Sequence, residues 1–131
     1  MKLNIKKLTV HKDDRGWLAE IFRPEDVGKT FGQVLVTTAK PGQTKGNHYH
    51  KRKREWYCVV KGRGFLIVVD RKTGKKTELE MGDNNMVAVE IPKGSLHAIN
   101  NIGRSEMILI AYTNESFDPA DPDTYYEAPP A

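Results

Sequence analysis

The residues best suited to chemistry are three histidines and a glutamate in two short segments. The first segment reads Gly42-x5-His48-x-His50-x4-Glu55-x6-Gly62, and the second reads Pro92-x-Gly94-x2-His97-x3-Asn101. Residues two apart on a strand project to the same side, so the imidazoles of His48 and His50 share a face. The four-residue connection after His50 lets the next strand bring Glu55 back beside them, and His97 adds a third imidazole from a segment distant in sequence. Three imidazoles and a carboxylate form a donor set for one divalent transition metal, whether zinc, iron, manganese, nickel or cobalt. Such a set leaves one or two positions open for water or substrate, as a catalytic metal needs. A single strand histidine is ordinarily a hydrogen-bonded polar residue, and His11, outside the pattern, is read that way. The metal reading rests on His48, His50, Glu55 and His97 together.

These side chains need strands to hold them, and the sequence predicts an all-β domain. Runs rich in β-branched and aromatic residues, bounded by Gly, Pro, Asn or Asp, occur at 3–10, 16–22, 31–39, 46–50, 55–60, 64–70, 76–80, 86–91, 97–101 and 107–113. Lys61-Gly62 and Thr73-Gly74 read as hairpin turns, where glycine permits positive φ. Apolar residues nowhere recur at helical spacing for three turns, and 24–29 allows a single helical turn. The runs at 56–60, 65–69 and 107–111 are apolar on both faces, whereas a sheet exposed on one side would alternate. Such strands belong in a closed barrel or sandwich whose outer face is covered by a second sheet or a partner subunit, so a homodimer is expected.

A length of 131 residues suits one domain, read as a barrel over 1–113 with an acidic, proline-rich tail over 114–131 that could be loose. No apolar run approaches the length of a membrane span, and the opening residues lack the apolar core of a signal peptide. Cys58 is the only cysteine, so no internal disulfide forms and a cytoplasmic location is the default. The net charge is +4, yet the tail carries Glu115, Asp118, Asp121, Asp123 and Glu127 with no Lys or Arg, which leaves the body at about +9. That balance suits an anionic ligand. No recognition-helix pattern or basic helix face supports nucleic acid, so phosphate on a small molecule is the expected partner.

At both histidine segments the chain resembles the cupin superfamily. The first motif fits at every fixed position. The second fits from Pro92 to Asn101, although the stretch from Gly82 to Pro92 is longer than is usual there. The resemblance implies a small RmlC-like double-stranded β-helix, or jelly-roll barrel, with the metal inside and each motif forming a ligand-bearing hairpin. A finer resemblance runs through Asp13-Asp14-Arg15-Gly16, Trp17-Leu18-Ala19-Glu20, Lys45 to His50, Ile67 to Arg71 and Ile91 to His97. These segments are similar, in the same order, to the nucleotide-sugar 3,5-epimerases and ketoisomerases. The Gly46-Asn47-His48-Tyr49-His50 form is most similar to the zinc cupin at the C-terminus of capsular-polysaccharide-synthesis reductases. The resemblance covers most of 11–113 and implies an isomerase acting on a nucleotide-activated 4-keto sugar in cell-surface polysaccharide synthesis. An iron cupin dioxygenase and a non-catalytic binding module are the alternatives.

The chemistry makes sense of the residues. Protons beside a carbonyl can be removed to give an enolate, which a metal stabilises while a base and an acid exchange the proton between faces. In the 3,5-epimerases the position matching His48 is the base, but a nitrogen bound to metal has no lone pair left for that role. The family's active-site lysine aligns with Glu55, and its tyrosine after the last core strand has no secure match. Tyr112 is near but offset, and Tyr57 shares a strand face with Glu55, so both are candidates for the acid. These departures argue against a standard rhamnose-pathway epimerase. Arg15 matches a nucleotide-contacting position of the family. Lys45, Lys51, Lys53 and Arg54 flank the ligands in sequence and are candidates to hold a diphosphate, or else they form a solvated turn. Asp13, Asp14 and Glu20 are read as structural.

Overall fold

The computed structural model describes residues 2–128. In chain order the elements are β1 (Ile5–Lys7), β2 (His11–Asp13), β3 (Gly16–Leu18), a single helical turn α1 (Pro24–Val27), β4 (Gln33–Ala39), β5 (Thr44–Tyr49) and β6 (Glu55–Lys61). They continue with β7 (Arg63–Asp70), β8 (Lys76–Gly82), β9 (Val87–Ile91), β10 (Ser95–Asn101), β11 (Met107–Thr113) and β12 (Tyr125–Tyr126). Two five-stranded sheets, ordered β1-β9-β6-β11-β4 and β12-β5-β10-β7-β8, face each other, and β2 and β3 form a separate hairpin. Every pairing is antiparallel. This is the jelly-roll barrel that the sequence implied. Among the described residues no helix is long and apolar enough to cross a membrane.

Strand periodicity sorts the side chains. Along β6, Tyr57 and Val59 enter the inner core with Leu66, Val68, Val89, Met107 and Leu109, while Trp56 and Cys58 face outward. Each large aliphatic side chain fully buried there contributes about 1.5–3 kcal/mol over exposure, which holds the barrel without a disulfide. Burial also pushes the Cys58 thiol up to about 11, so it stays protonated and packs as a small apolar group. The outer face of β6 is covered by this chain's own N-terminal arm. Leu8, Ala19, Ile21, Phe22 and Val27 pack there against Trp56, Cys58 and Tyr112. Neither a second sheet nor a partner is needed at that strand.

Three further expectations are corrected. Lys61-Gly62 is no hairpin, because β6 pairs with β11 and β9 while β7 pairs with β10 and β8. The chain instead crosses between sheets there, with Gly62 at φ +89° beside Gly82 at φ +118°. A Cβ on Gly82 would lie 2.1 Å from the Gly62 carbonyl oxygen, so this corner admits only glycine. By contrast, Thr73-Gly74 does join the antiparallel pair β7 and β8. The two histidine segments are not hairpins either. β5 and β10 lie in one sheet while β6 and β9 lie in the other, so each motif spans the gap between sheets and its ligands meet across the interior. Finally, the tail is not loose over 114–127. β12 pairs with β5, placing Tyr126 opposite His48, and Arg52 pairs with Glu115 at 2.6 Å and Asp121 at 3.2 Å. The acidic tail thus neutralises part of the basic body that bore it.

Candidate metal centre

His48 owes its place to a bulge. In the β5–β10 ladder His97 lies opposite His48, yet Ala98 lies opposite Gly46, which leaves Asn47 unpaired. Both bulge residues sit at positive φ, +98° for Gly46 and +58° for Asn47, which glycine and asparagine tolerate best. A Cβ on Gly46 would come within 2.8 Å of the His97 carbonyl oxygen, so the glycine is what lets β5 approach β10 this closely. Gly46→Ala is therefore expected to cost about 1–3 kcal/mol and to displace His48. Denaturant unfolding paired with metal titration checks this; unchanged values in both would contradict it.

The remaining three residues enter from two directions. His97, fully buried, projects from the centre of the second sheet, and its Nδ1–H donates to the Ser95 carbonyl at 3.0 Å. His50 lies just past the end of β5, and its Nδ1–H donates to the Asp123 carbonyl at 2.7 Å. Glu55 opens β6 on the facing sheet and points inward. These backbone carbonyls fix the tautomers of His50 and His97, leaving each Nε2 with its lone pair directed at the others.

The four donor atoms lie within 4.8 Å of one another. Glu55 Oε1 is 2.7 Å from His50 Nε2 and 3.3 Å from His97 Nε2. The imidazole centroids of His48 are 4.9 Å from His50 and 4.6 Å from His97. Among the described residues, the buried side-chain polar atoms with no hydrogen bond are the Nε2 atoms of these three histidines, Glu55 Oε1 and the outer-face Trp56 Nε1. Buried polar atoms are seldom left unpaired, and here four converge on one point. A divalent cation holding each at about 2.0–2.2 Å would satisfy all four, so the residues fit a metal.

Electrostatics agrees. Burial, with the neighbouring His97 and His50, pushes His48 down to about 4, so its imidazole is neutral at ordinary pH. Burial alone would raise the Glu55 carboxyl, but the His50 and His97 imidazoles outweigh it and hold Glu55 well below the carboxylate range. Burial likewise pulls His50 down, and the Glu55 carboxylate together with the Asp123 carbonyl overcomes it, leaving His50 raised above its ordinary 6.5. Where His50 does take up a second proton, its Nε2–H faces Glu55 Oε1, 2.7 Å away, and metal uptake must expel that proton. Affinity is expected to fall about tenfold per unit as pH drops below the His50 value, with a proton released on binding. Titration calorimetry in buffers of differing ionisation enthalpy checks this. An affinity that does not change between about pH 5.5 and about pH 8.5 would contradict it.

His48, His50 and Glu55 line a cavity of about 270 Å³. Its lining mixes polar Lys45, Lys53, Tyr57 and Thr113 with apolar Leu35, Leu109 and Phe117. Tyr57 lies on the inward face of β6 two residues beyond Glu55, its ring 5.7 Å from that of His97. Burial, then the Glu55 charge, pushes its phenol well above 10, so it stays protonated. Lys53 is buried beside the mouth, donating to the Pro122 carbonyl at 2.9 Å with its ammonium 5.3 Å from the Phe117 ring centre.

Other candidates lie elsewhere. Tyr112 is one residue out of phase with the inward side of β11. It packs on Phe22 and Phe31 in the outer cluster, and its hydroxyl donates to the Thr30 carbonyl. Arg54 pairs outside the cavity with Glu90 at 2.9 Å, and Lys51 sits over the Tyr125 ring at 4.5 Å. Arg15 lies on the exposed β2–β3 hairpin against Asp13, in a surface groove with Trp17 and Leu18. Sequence reading missed Gln33, Thr37, Phe117, Thr124 and Tyr126, all of which line the cavity. Only the inward parity of β4 could have flagged the first two, and no local pattern marks the three from the tail.

Comparison with known proteins bears on the family and the fold. The family described as Polysaccharide biosynthesis C-terminal domain matches residues 11–125. The spore coat polysaccharide biosynthesis protein SpsL of Bacillus subtilis is 32% identical over 127 residues, covering 92% of this chain and 84% of that protein. The crystal structure of the capsular polysaccharide assembling protein CapF of Staphylococcus aureus superposes with a TM-score of 0.72 at 37% identity, over 92% of this chain. The chain spans only 34% of that protein's length. The dTDP-6-deoxy-D-glucose-3,5-epimerase RmlC of Legionella pneumophila, solved with dTDP-4-keto-L-rhamnose, shares the fold with a TM-score of 0.77. At 22% identity, that match covers 90% of this chain and 69% of the epimerase.

Proposed function

This chain belongs to the polysaccharide biosynthesis C-terminal domain family, and from that premise we propose that it is a metal-dependent isomerase, epimerising a nucleotide-activated 4-keto sugar for a cell-surface polysaccharide. The observation that carries this reading is the convergence of four unpaired buried donors, three of whose residues line a cavity of mixed polarity. His48, His50, Glu55 and His97 would hold one divalent metal, zinc foremost. A cation there supplies Lewis-acid polarisation of a substrate carbonyl. His48 serves as a ligand, which relieves it of the base role its position has in the 3,5-epimerases. Tyr57, kept protonated by burial, returns a proton to the enolate, and the proton first taken from the carbon passes by way of solvent to restore the tyrosine hydroxyl. Lys45 and Lys53 attract the diphosphate. At about 270 Å³ the cavity takes a sugar ring and leaves the nucleotide at its mouth, since pockets that engulf larger ligands run to about 300–1,000 Å³.

The neighbours in polysaccharide synthesis and the RmlC fold support the substrate class. The working form is a homodimer, for Val34 and Val36 are exposed on the outer face of β4 beside half-buried Ile108 and Ile110. A second copy would cover that strip. Sedimentation at micromolar concentration should give twice the chain mass, and a persistent monomer would remove this part. The catalytic reading is tested with a nucleotide 4-keto sugar in deuterium oxide. Label should appear at carbon beside the carbonyl only with metal-loaded protein. Binding without label would leave a ligand-holding module, and oxygen uptake with bound iron would mark a dioxygenase.

A further inference from the structure

We propose that Asp123 is a positioning residue for His50, which makes the 114–127 segment a working part of the metal centre. The inference rests on reading the histidine–glutamate cluster as a metal site. Asp123 reaches the centre with both of its acceptor groups. Its backbone carbonyl takes the Nδ1–H of His50 at 2.7 Å and so aims Nε2 at Glu55. Its carboxylate, 3% exposed as a residue, accepts the successive backbone N–H groups of Lys51 at 3.0 Å, Arg52 at 2.9 Å and Lys53 at 2.9 Å. Those three N–H groups belong to the connection between His50 and Glu55. One residue thus fixes the ring of one candidate ligand and the turn that sets its distance from the next.

The backbone of Asp123 makes this double grip possible. Its φ of +49° lies in the left-handed region, which aspartate and asparagine enter more readily than other side chains. The flanking segment is clamped to β5. Tyr125 stacks on Tyr49 at 5.2 Å, Arg71 lies over the Tyr49 ring at 3.8 Å, and the Glu127 N–H donates to the Asn47 carbonyl at 2.9 Å. The last of these bonds falls on the bulge that places His48, so the same segment touches the supports of two candidate ligands. An appendage docked only for stability would have no reason to end its one buried carboxylate and its carbonyl on the His50–Glu55 connection.

The test compares wild type, Asp123→Ala and Asp123→Asn by Zn²⁺ and Co²⁺ affinity, by melting temperature and by ¹H–¹⁵N spectra of the imidazoles in metal-free protein. Asp123→Ala is expected to weaken metal binding by about 10–100-fold, the range for loss of a residue that orients a ligand. Alanine keeps the carbonyl that accepts the His50 Nδ1–H but loses the carboxylate that pins the backbone there, so the Nδ1–H signal should exchange faster as well. Asp123→Asn keeps the backbone preference and one acceptor oxygen but gives up the other, so its loss should be smaller yet measurable, about two- to tenfold. A lower melting temperature with wild-type affinity and an intact Nδ1–H signal would overturn the proposal, leaving a purely structural tail. If Asp123→Ala does not fold, unchanged affinity in Asp123→Asn together with an unchanged Nδ1–H signal overturns it equally. If wild type binds neither metal, the metal reading fails, and the Nδ1–H signal alone then decides whether Asp123 orients His50.

Discussion

Replacing His97 with alanine is expected to lower affinity for a divalent transition metal by more than about 100-fold while the barrel stays folded. His97 stands at the middle of the second sheet with none of its surface exposed, so no other side chain can swing in to replace its nitrogen. Loss of a ligand should exceed the cost of losing a group that merely orients one, which sets the lower bound. Stability of the metal-free protein should change by less than about 2 kcal/mol. Truncation leaves a cavity, but it also removes a buried Nε2 that lacks a hydrogen bond in the metal-free state. The distinguishing pattern is therefore a small change in unfolding free energy without metal and the loss of stabilisation by added metal. A His97→Ala protein that still gained wild-type stability from zinc would exclude this residue from the ligand set.

Tyr57→Phe should slow deuterium incorporation into a nucleotide 4-keto sugar by about 10²–10⁴-fold, the range for removal of a general acid. The ring stays, so its edge contact with His97 and its place in the inner core are kept. Only the hydroxyl leaves. Because burial and the Glu55 charge keep that phenol protonated, its part is to donate, and the loss should appear in turnover and not in nucleotide-sugar affinity. Wild-type exchange would assign the acid elsewhere. A fall in metal content would show instead that the hydroxyl supports the His97 packing.

Much of the fold was legible because its strands carry their own signals. β6, β7, β9 and β11 are dense in β-branched and aromatic residues, and glycines mark most of the breaks between elements. The ligand cluster was legible because two histidines at strand spacing, a nearby acid and a later Pro-x-Gly-x2-His constrain one another. What stayed hidden was partnership between strands. Lys61-Gly62 has the composition of a hairpin turn, and only the pairing of β6 with β11 and β9 shows that the chain changes sheet there. Tyr112 and Tyr57 could not be separated by type. Counting parity along β11 from Leu109 and Ala111 puts Tyr112 on the outside, but that count needs the inward face to be known.

The tail was misjudged for a similar reason. Its prolines and acids look like solvated chain, whereas Asp123, Glu115 and Asp121 find their partners 63 to 72 residues away in the Lys51–Arg54 turn. The basic run itself divides once folded. Lys53 turns to the cavity, while Lys51, Arg52 and Arg54 are taken up by Tyr125, Glu115 with Asp121, and Glu90. Neutralising Lys51 and Arg52 should therefore disturb the tail more than ligand binding.

The most direct measurement is the metal content of chelator-stripped protein after dialysis against zinc, iron, manganese, nickel and cobalt in turn. One equivalent of at least one metal should be retained by wild type and lost when Glu55 or His97 is replaced. Protein that keeps its fold yet holds none of the five, or keeps a full equivalent without Glu55 and His97, would contradict the account at its root.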